Sequence, residues 1–242
     1  MTTTAHHYEE HLGPVYLWMA GGADTALAAG LAELQALDVP MGAGTHALDL
    51  GAGFGMHAIP LARMGADVIA IDSSPLLLRE LDTLRGDTPV RTACDDLLAF
   101  PRHVIDPPDL ILCMGDTLTH LPDVAAVETL LGAVASALAP RGRFVATFRD
   151  YSTALEGDRR FIPVRSDEAR VLTCFLEYAE AHVTVHDLLH ERTPEGWTMR
   201  VSHYRKLRLD VPRLVARMEA AGLDVRRDAG PRGMVRLVAT RR

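Results

Sequence analysis

The chain has 242 residues, 48% hydrophobic and 24% charged, enough to bury a full core at a length that suits one α/β unit. A formal net charge of −7 argues against nucleic acid as a partner, because binders of polyanions carry a basic face. No apolar run approaches the roughly 20 residues that span a bilayer, and the start MTTTAHHYEEH lacks the basic and apolar regions of a secretory signal, so a cytoplasmic protein without membrane contact is expected. Cys94, Cys113 and Cys174 are widely separated and show no C-x-x-C spacing; they are expected as small buried apolar residues.

In chain order, Asp24 is expected to cap a helix carrying Leu27, Leu31, Leu34 and Leu37 on one side, broken by the Pro-Met-Gly-Ala-Gly run at 40–44. A buried strand then runs through Ala47-Leu48-Asp49-Leu50 into the turn Gly51-Ala52-Gly53-Phe54-Gly55, followed by a helix from about 56 that stops at Gly65. A second strand, Val68-Ile69-Ala70-Ile71, ends in Asp72, placed to accept both hydroxyls of a ribose. Ser74-Pro75 caps the next helix, with Leu77, Leu78, Leu81 and Leu84 on one face and an end near Gly86. Short strands are expected at 90–93 and 110–113, a helix at 123–138, a strand at 144–148, and, near the end, a helix opened by Asp210-Val211-Pro212 with strands at 223–227 and 234–240. This alternation predicts a mostly parallel sheet with helices on both faces. Between Arg159 and Leu209 the pattern changes to strand-like runs at 171–176, 182–190 and 197–209 without intervening helix, an antiparallel lid inserted into the core. One domain over 1–242 is expected, divided into an N-terminal helical gate (1–40), a cofactor-binding core (41–155), the lid (156–209) and a closing helix and hairpin (210–242).

The glycine spacing selects among adenosine-type ligands. Dinucleotide folds use G-x-G-x-x-G/A, whereas here the third glycine comes one position early and Asp49 sits within the strand end. A carboxylate there repels a pyrophosphate and attracts an ammonium. LDLGAGFG resembles motif I of the class I methyltransferases and VIAID their second motif. The resemblance implies a Rossmann-like α/β fold with a seven-stranded, mostly parallel sheet and a C-terminal antiparallel hairpin. It also implies S-adenosyl-L-methionine as cofactor, held by Asp49, Gly51, Ala52, Gly53, Gly55, Asp72 and Ser73, with Asp95 or Asp96 on the adenine amino group.

The segment CMGDTLTHL at 113–121, together with FRDYSTALEG at 148–157, narrows the resemblance to the glycine N-methyltransferase group and related small-molecule methyltransferases. By that likeness Met114 and Thr117 line the cofactor, Asp116 and His120 stand beside its reacting end, and Arg149 faces a substrate carboxylate. Tyr16 and Trp18 match the group's aromatic gate over the methyl donor. The group's asparagine is Asp116 here, a carboxylate able to take or orient a substrate proton, which puts glycine in doubt as the substrate. Each assignment has a structural alternative: Asp116 as a turn cap, His120 as a core histidine, Arg149 as a partner of Asp116 or Asp150, and the acids at 95–96 as caps or solvated loop residues.

His182, His186 and His190 share one strand face, but residues four apart on a strand lie roughly 13 Å apart, too far for one ion, and no metal is expected. The residues that methylate base amino groups or pyrimidine carbons are absent. The expected activity is methyl transfer to a small molecule, an amine or amino-acid-like acceptor ahead of an O-acceptor, with a homodimer left open. An NAD-dependent oxidoreductase and a non-catalytic cofactor-binding protein are the competing classes.

Overall fold

The computed structural model describes residues 7–242. After a short π-helical turn at Tyr8–Leu12 come α1 (Gly13–Met19) and α2 (Ala23–Gln35). The cap of α2 is Gly22 at φ 89°, and Asp24 lies inside the first turn instead. The backbone that reverses direction at Gly21 and Gly22 needs positive φ, which glycine adopts and aspartate resists. The core then alternates β1 (His46–Leu50), α3 (Ala58–Arg63), β2 (Asp67–Asp72), α4 (Pro75–Arg85), β3 (Val90–Cys94), β4 (Leu110–Cys113), α5 (Val124–Ala137) and β5 (Arg143–Phe148).

Local chemistry sets these limits. The Ser74 hydroxyl accepts from the Leu77 N–H at 3.3 Å, with Pro75 in the first turn, and Asp123 accepts from the Ala126 N–H at 2.8 Å. Asp210 does the same for Arg213 at the head of α6 (Val211–Ala220). The helix expected from residue 56 begins at Ala58, because positive φ angles at Gly51, Gly53 and Gly55 hold the chain in turns until then.

With the final hairpin, β10 (Leu223–Ala229) and β11 (Val235–Arg241), the strands lie in the order β10-β11-β5-β4-β1-β2-β3. Strands β1 to β5 pair in parallel, and β11 is antiparallel to both β5 and β10. Alternate side chains fill two cores. Leu48, Leu50, Ile111 and Phe144 pack against α5 and α6; Ala47, Val68, Ala70 and Leu112 pack against α2, α3 and α4. The strand order reverses between β1 and β4, so the loops leaving their carboxyl ends face one crevice, where open α/β sheets bind ligands.

The lid is a second, four-stranded antiparallel sheet of β6 (Phe161–Ser166), β7 (Arg170–Tyr178), β8 (His182–Thr193) and β9 (Gly196–Leu207). Strand β6 was not among the expected runs. It contains Pro163, which lacks an N–H for the ladder, and the chain accommodates it on the sheet edge beside a bulge between Pro163 and Arg165. One face of the lid buries Leu172 and Leu189 against Leu12 and Val15 of the N-terminal segment.

Candidate active site

The turn after β1 is shaped by what lies against it. A Cβ on Gly51 would fall 2.4 Å from the Thr117 side chain, and one on Gly55 would fall 2.8 Å from Leu81. Glycine at 51 thus lets the loop after β4 close onto the turn after β1, while glycine at 55 lets α4 pack beneath. At Gly53 the nearest side chains, Leu77 and Tyr16, would stay 3.9 Å away, so this stretch of backbone is approachable.

Two carboxylates flank the turn. Asp49 is buried at the end of β1 and its Oδ2 has no hydrogen-bond partner among the described residues. Burial pushes its carboxyl up to about 6, with His57 opposing the shift. Asp72 is partnered: it accepts from the Gly53 N–H through Oδ2 and from the Ser74 N–H through Oδ1, both at 2.8 Å. Burial raises the Asp72 carboxyl, and these N–H groups moderate the rise. Asp72 therefore braces the glycine turn, and Ser73 beside it is exposed. Asp95 pairs with His103 at 2.8 Å and Arg102 at 3.4 Å, and Asp96 accepts from the Leu98 N–H at 2.7 Å as a helix cap.

The loop after β4 carries the other group. The hydroxyl of Thr117 donates to the Met114 carbonyl at 2.8 Å, and Met114 is buried with its sulfur beside Thr147. Asp116 adopts φ 78°, a left-handed conformation uncommon for a residue with a side chain. Its carboxylate fixes that shape by accepting from the Arg149 backbone N–H at 2.6 Å and from Lys206 Nζ at 2.8 Å, and it pairs with the Arg149 guanidinium, whose Nε lies 3.2 Å away. Burial would raise the Asp116 carboxyl, but the Lys206 ammonium and the Arg149 contacts hold it below the usual carboxylate range. Asp116 is thus a poor proton acceptor and a well-anchored negative charge, not the free base that its sequence position allowed. Arg149 keeps nearly half its side chain exposed.

His120 is enclosed by aromatic rings. It stacks on Tyr204 at 5.4 Å, meets Tyr8 edge-on at 5.6 Å, and has Nε2 3.4 Å from the Tyr8 hydroxyl. Burial, helped by the Lys206 charge, pushes its pKa down to about 3, so the ring is neutral at physiological pH. Its Nδ1 is buried without a partner among the described residues. Tyr16 packs on Phe54 of the glycine turn and on Tyr8, both at 5.7 Å. Trp18 turns to the lid, where its indole N–H donates to Asp167 and its ring faces Arg165 and Arg170.

Sequence reasoning missed Lys206, Tyr8 and Tyr204. The only trace of them was alternation: Tyr204 and Lys206 stand two apart at the end of β9, where both are buried. A lysine at such a position calls for a carboxylate partner, since an unpaired buried ammonium is costly. Among the described residues, no group of three or more His, Cys, Asp and Glu side chains could hold a metal ion, and no helix is long and apolar enough to cross a membrane.

A parallel sheet with an antiparallel seventh strand inserted beside β5, and a glycine turn with flanking acids at the reversal of strand order, define the class I methyltransferase fold. Residues 47–142 match the family model described as a methyltransferase domain. Three solved structures show the same fold over nearly the whole chain. The amino pentose methyltransferase CalS10 of Micromonospora echinaspora, solved with S-adenosylmethionine bound, is 18% identical, with a TM-score of 0.70 over 91% of this chain and 90% of that one. The CcbJ methyltransferase of Streptomyces caelestis is 20% identical, with a TM-score of 0.72 over 91% and 96%. The sugar N-methyltransferase KedS8 of a Streptoalloteichus species is 18% identical, with a TM-score of 0.67 over 93% and 88%. No curated protein matches the sequence.

Proposed function

We propose that the protein transfers a methyl group from S-adenosylmethionine to the amine nitrogen of a small, amino-acid-like or amino-sugar-like molecule. The observation that carries the donor half of this reading is the buried, unpartnered Oδ2 of Asp49 beside the approachable backbone of Gly53. An ammonium bound there satisfies the orphaned oxygen and restores the ionised form that burial disfavours. Asp72, already oriented by two backbone N–H groups, keeps lone pairs for ribose hydroxyls. Tyr16 covers the turn.

When bound, the cofactor supplies a methyl group on a sulfonium, a leaving group that needs no further activation. The chain's own residues then have to align the acceptor, exclude water and receive a hydrogen bond. His120, neutral and with a free ring nitrogen, accepts an N–H without taking the proton outright. The amine arrives unprotonated, and the proton it sheds after transfer passes to solvent. Asp116, fixed by Lys206, holds Thr117 against Gly51, and the exposed part of Arg149 is available to an acceptor carboxylate. The amine acceptor draws support from the glycine N-methyltransferase-like segments and from the amino-sugar substrates named for two structural neighbours.

Incubation with methyl-labelled cofactor and a metabolite pool, followed by mass spectrometry, tests the proposal. Label on amine nitrogens supports it. Label on oxygen moves the assignment to an O-methyltransferase, and cofactor binding without any labelled product leaves a silent binder.

A further inference from the structure

The lid sheet has one face on the N-terminal segment and one face open. Strand alternation and register fix what the open face carries, because residues directly opposite one another project to the same side. Opposite the buried Val183, Val185, Asp187 and Leu189, strand β8 turns His186, Leu188 and His190 outward. Register then adds His203, Val201 and Met199 from β9, and Phe175, Thr173 and Val171 from β7. Phe161, opposite Phe175, completes an aromatic row in which Phe161, Phe175, His186 and His203 follow one another at 4.8, 5.6 and 5.5 Å.

Two properties separate this face from an ordinary solvated sheet, which alternates apolar-in with polar-out. Its three central rows contain no Asp, Glu, Lys or Arg. Glu177, Arg205 and Arg192 stand on the rows at the two ends, and Arg160 lies over Phe175. Its large apolar side chains are also half uncovered: Trp197 is 51% exposed, Met199 55%, Val201 51% and Phe161 49%. An uncharged centre with a charged rim is the composition of an interface core.

We propose that this outer lid face is the interface of a homodimer, packed on the same face of a second copy of the chain about a two-fold axis. The size of the face favours that occupant. Four strands at about 4.8 Å and some nine residues at about 3.3 Å give about 600 Å², close to the roughly 800 Å² that each partner contributes to a standard stable interface. Self-pairing also fits its chemistry. A two-fold axis places like against like, which a charged centre would forbid and an apolar centre favours. Strand β9 then has two roles, with Trp197, Met199 and Val201 in the interface and Tyr204 and Lys206 facing the site.

Light scattering on the full chain eluting from a sizing column at tens of micromolar tests this. Twice the chain mass is expected, and the mass of a single chain overturns the proposal. Replacing Met199→Glu and Val201→Glu together is expected to raise the dimer dissociation constant at least about 100-fold; a double variant that stays dimeric overturns it. Both positions are more than half exposed, and a retained circular dichroism melt verifies the fold. Trp197→Ser gives a milder second reading, a weaker dimer that still melts cooperatively. Ile105→Glu, at a 70% exposed position in the loop before β4, is expected to keep the dimer, and a variant that becomes monomeric overturns the lid-face assignment.

Discussion

The two sides of the crevice are built in opposite ways. The side proposed to hold the methyl donor is local and made of main chain: Asp49, the glycine turn and Asp72 lie within 24 residues of one another on adjacent strands, and their positions follow from φ angles and strand ends. The side proposed to face the acceptor is assembled from distant segments. Tyr8 meets His120 across 112 positions of sequence, and Lys206 meets Asp116 across 90. A site made of backbone tolerates few residue types at each position and leaves a pattern; a site made of side chains from four segments is fixed by packing. The variants that follow separate the two.

The largest effect is expected on the acceptor side. Lys206→Met leaves the Asp116 carboxylate buried without its main partner, at a cost of about 3–5 kcal/mol in chemical denaturation. The double variant Asp116→Asn/Lys206→Met recovers most of it. If the single variant melts like the parent protein, the anchoring role of the pair is wrong.

Next, on the donor side, Asp49→Asn is expected to weaken cofactor binding about 100-fold, the loss of a charge-assisted contact of up to about 3 kcal/mol, measured by calorimetry. The same change should stabilise the unliganded protein. Raised from 3.8 to about 6 in the fold, Asp49 makes the native state hold a proton that the unfolded chain has lost. Stability is therefore greatest below about 4 and falls as pH rises to about 6, by about 3 kcal/mol in total. Asparagine escapes that fall, so the variant melts higher at neutral pH while binding worse. A lower melting temperature would contradict the assignment.

A smaller effect follows from the same group. Cofactor affinity is expected to fall about tenfold for each pH unit below 6 as Asp49 protonates, and to lose this dependence in Asp49→Asn. The smallest belongs to the lid: Trp18→Phe removes an exposed indole hydrogen bond to Asp167 and is expected to cost under about 1 kcal/mol. Fluorescence-monitored melting checks it.

The same contrast explains what the sequence revealed. The core strands, the helix starts at Ser74, Asp123 and Asp210, and the antiparallel hairpin were legible because apolar runs and helix-opening residues act within a few positions. Asp24 misled because its side chain suits a cap while the chain reversal required the positive φ of Gly22. Strand β6 was hidden by Pro163, which reads as a break until an edge position excuses it. Asp116 was found by its place after β4, but its ion pair was not, because nothing near it in sequence announces Lys206. His120 could be located and not described: its neutrality comes from burial among rings contributed by the N-terminal π-helical turn and by strand β9, Tyr8 and Tyr204.

Helix α1 is two turns long, yet Tyr16 holds the glycine turn through Phe54 and Trp18 holds the lid through Asp167. The two grips sit on one short rod, so lifting it slackens both at once. The glycine turn and the lid are thus tied to each other through one short helix, so a change at either of its two grips is felt at the other.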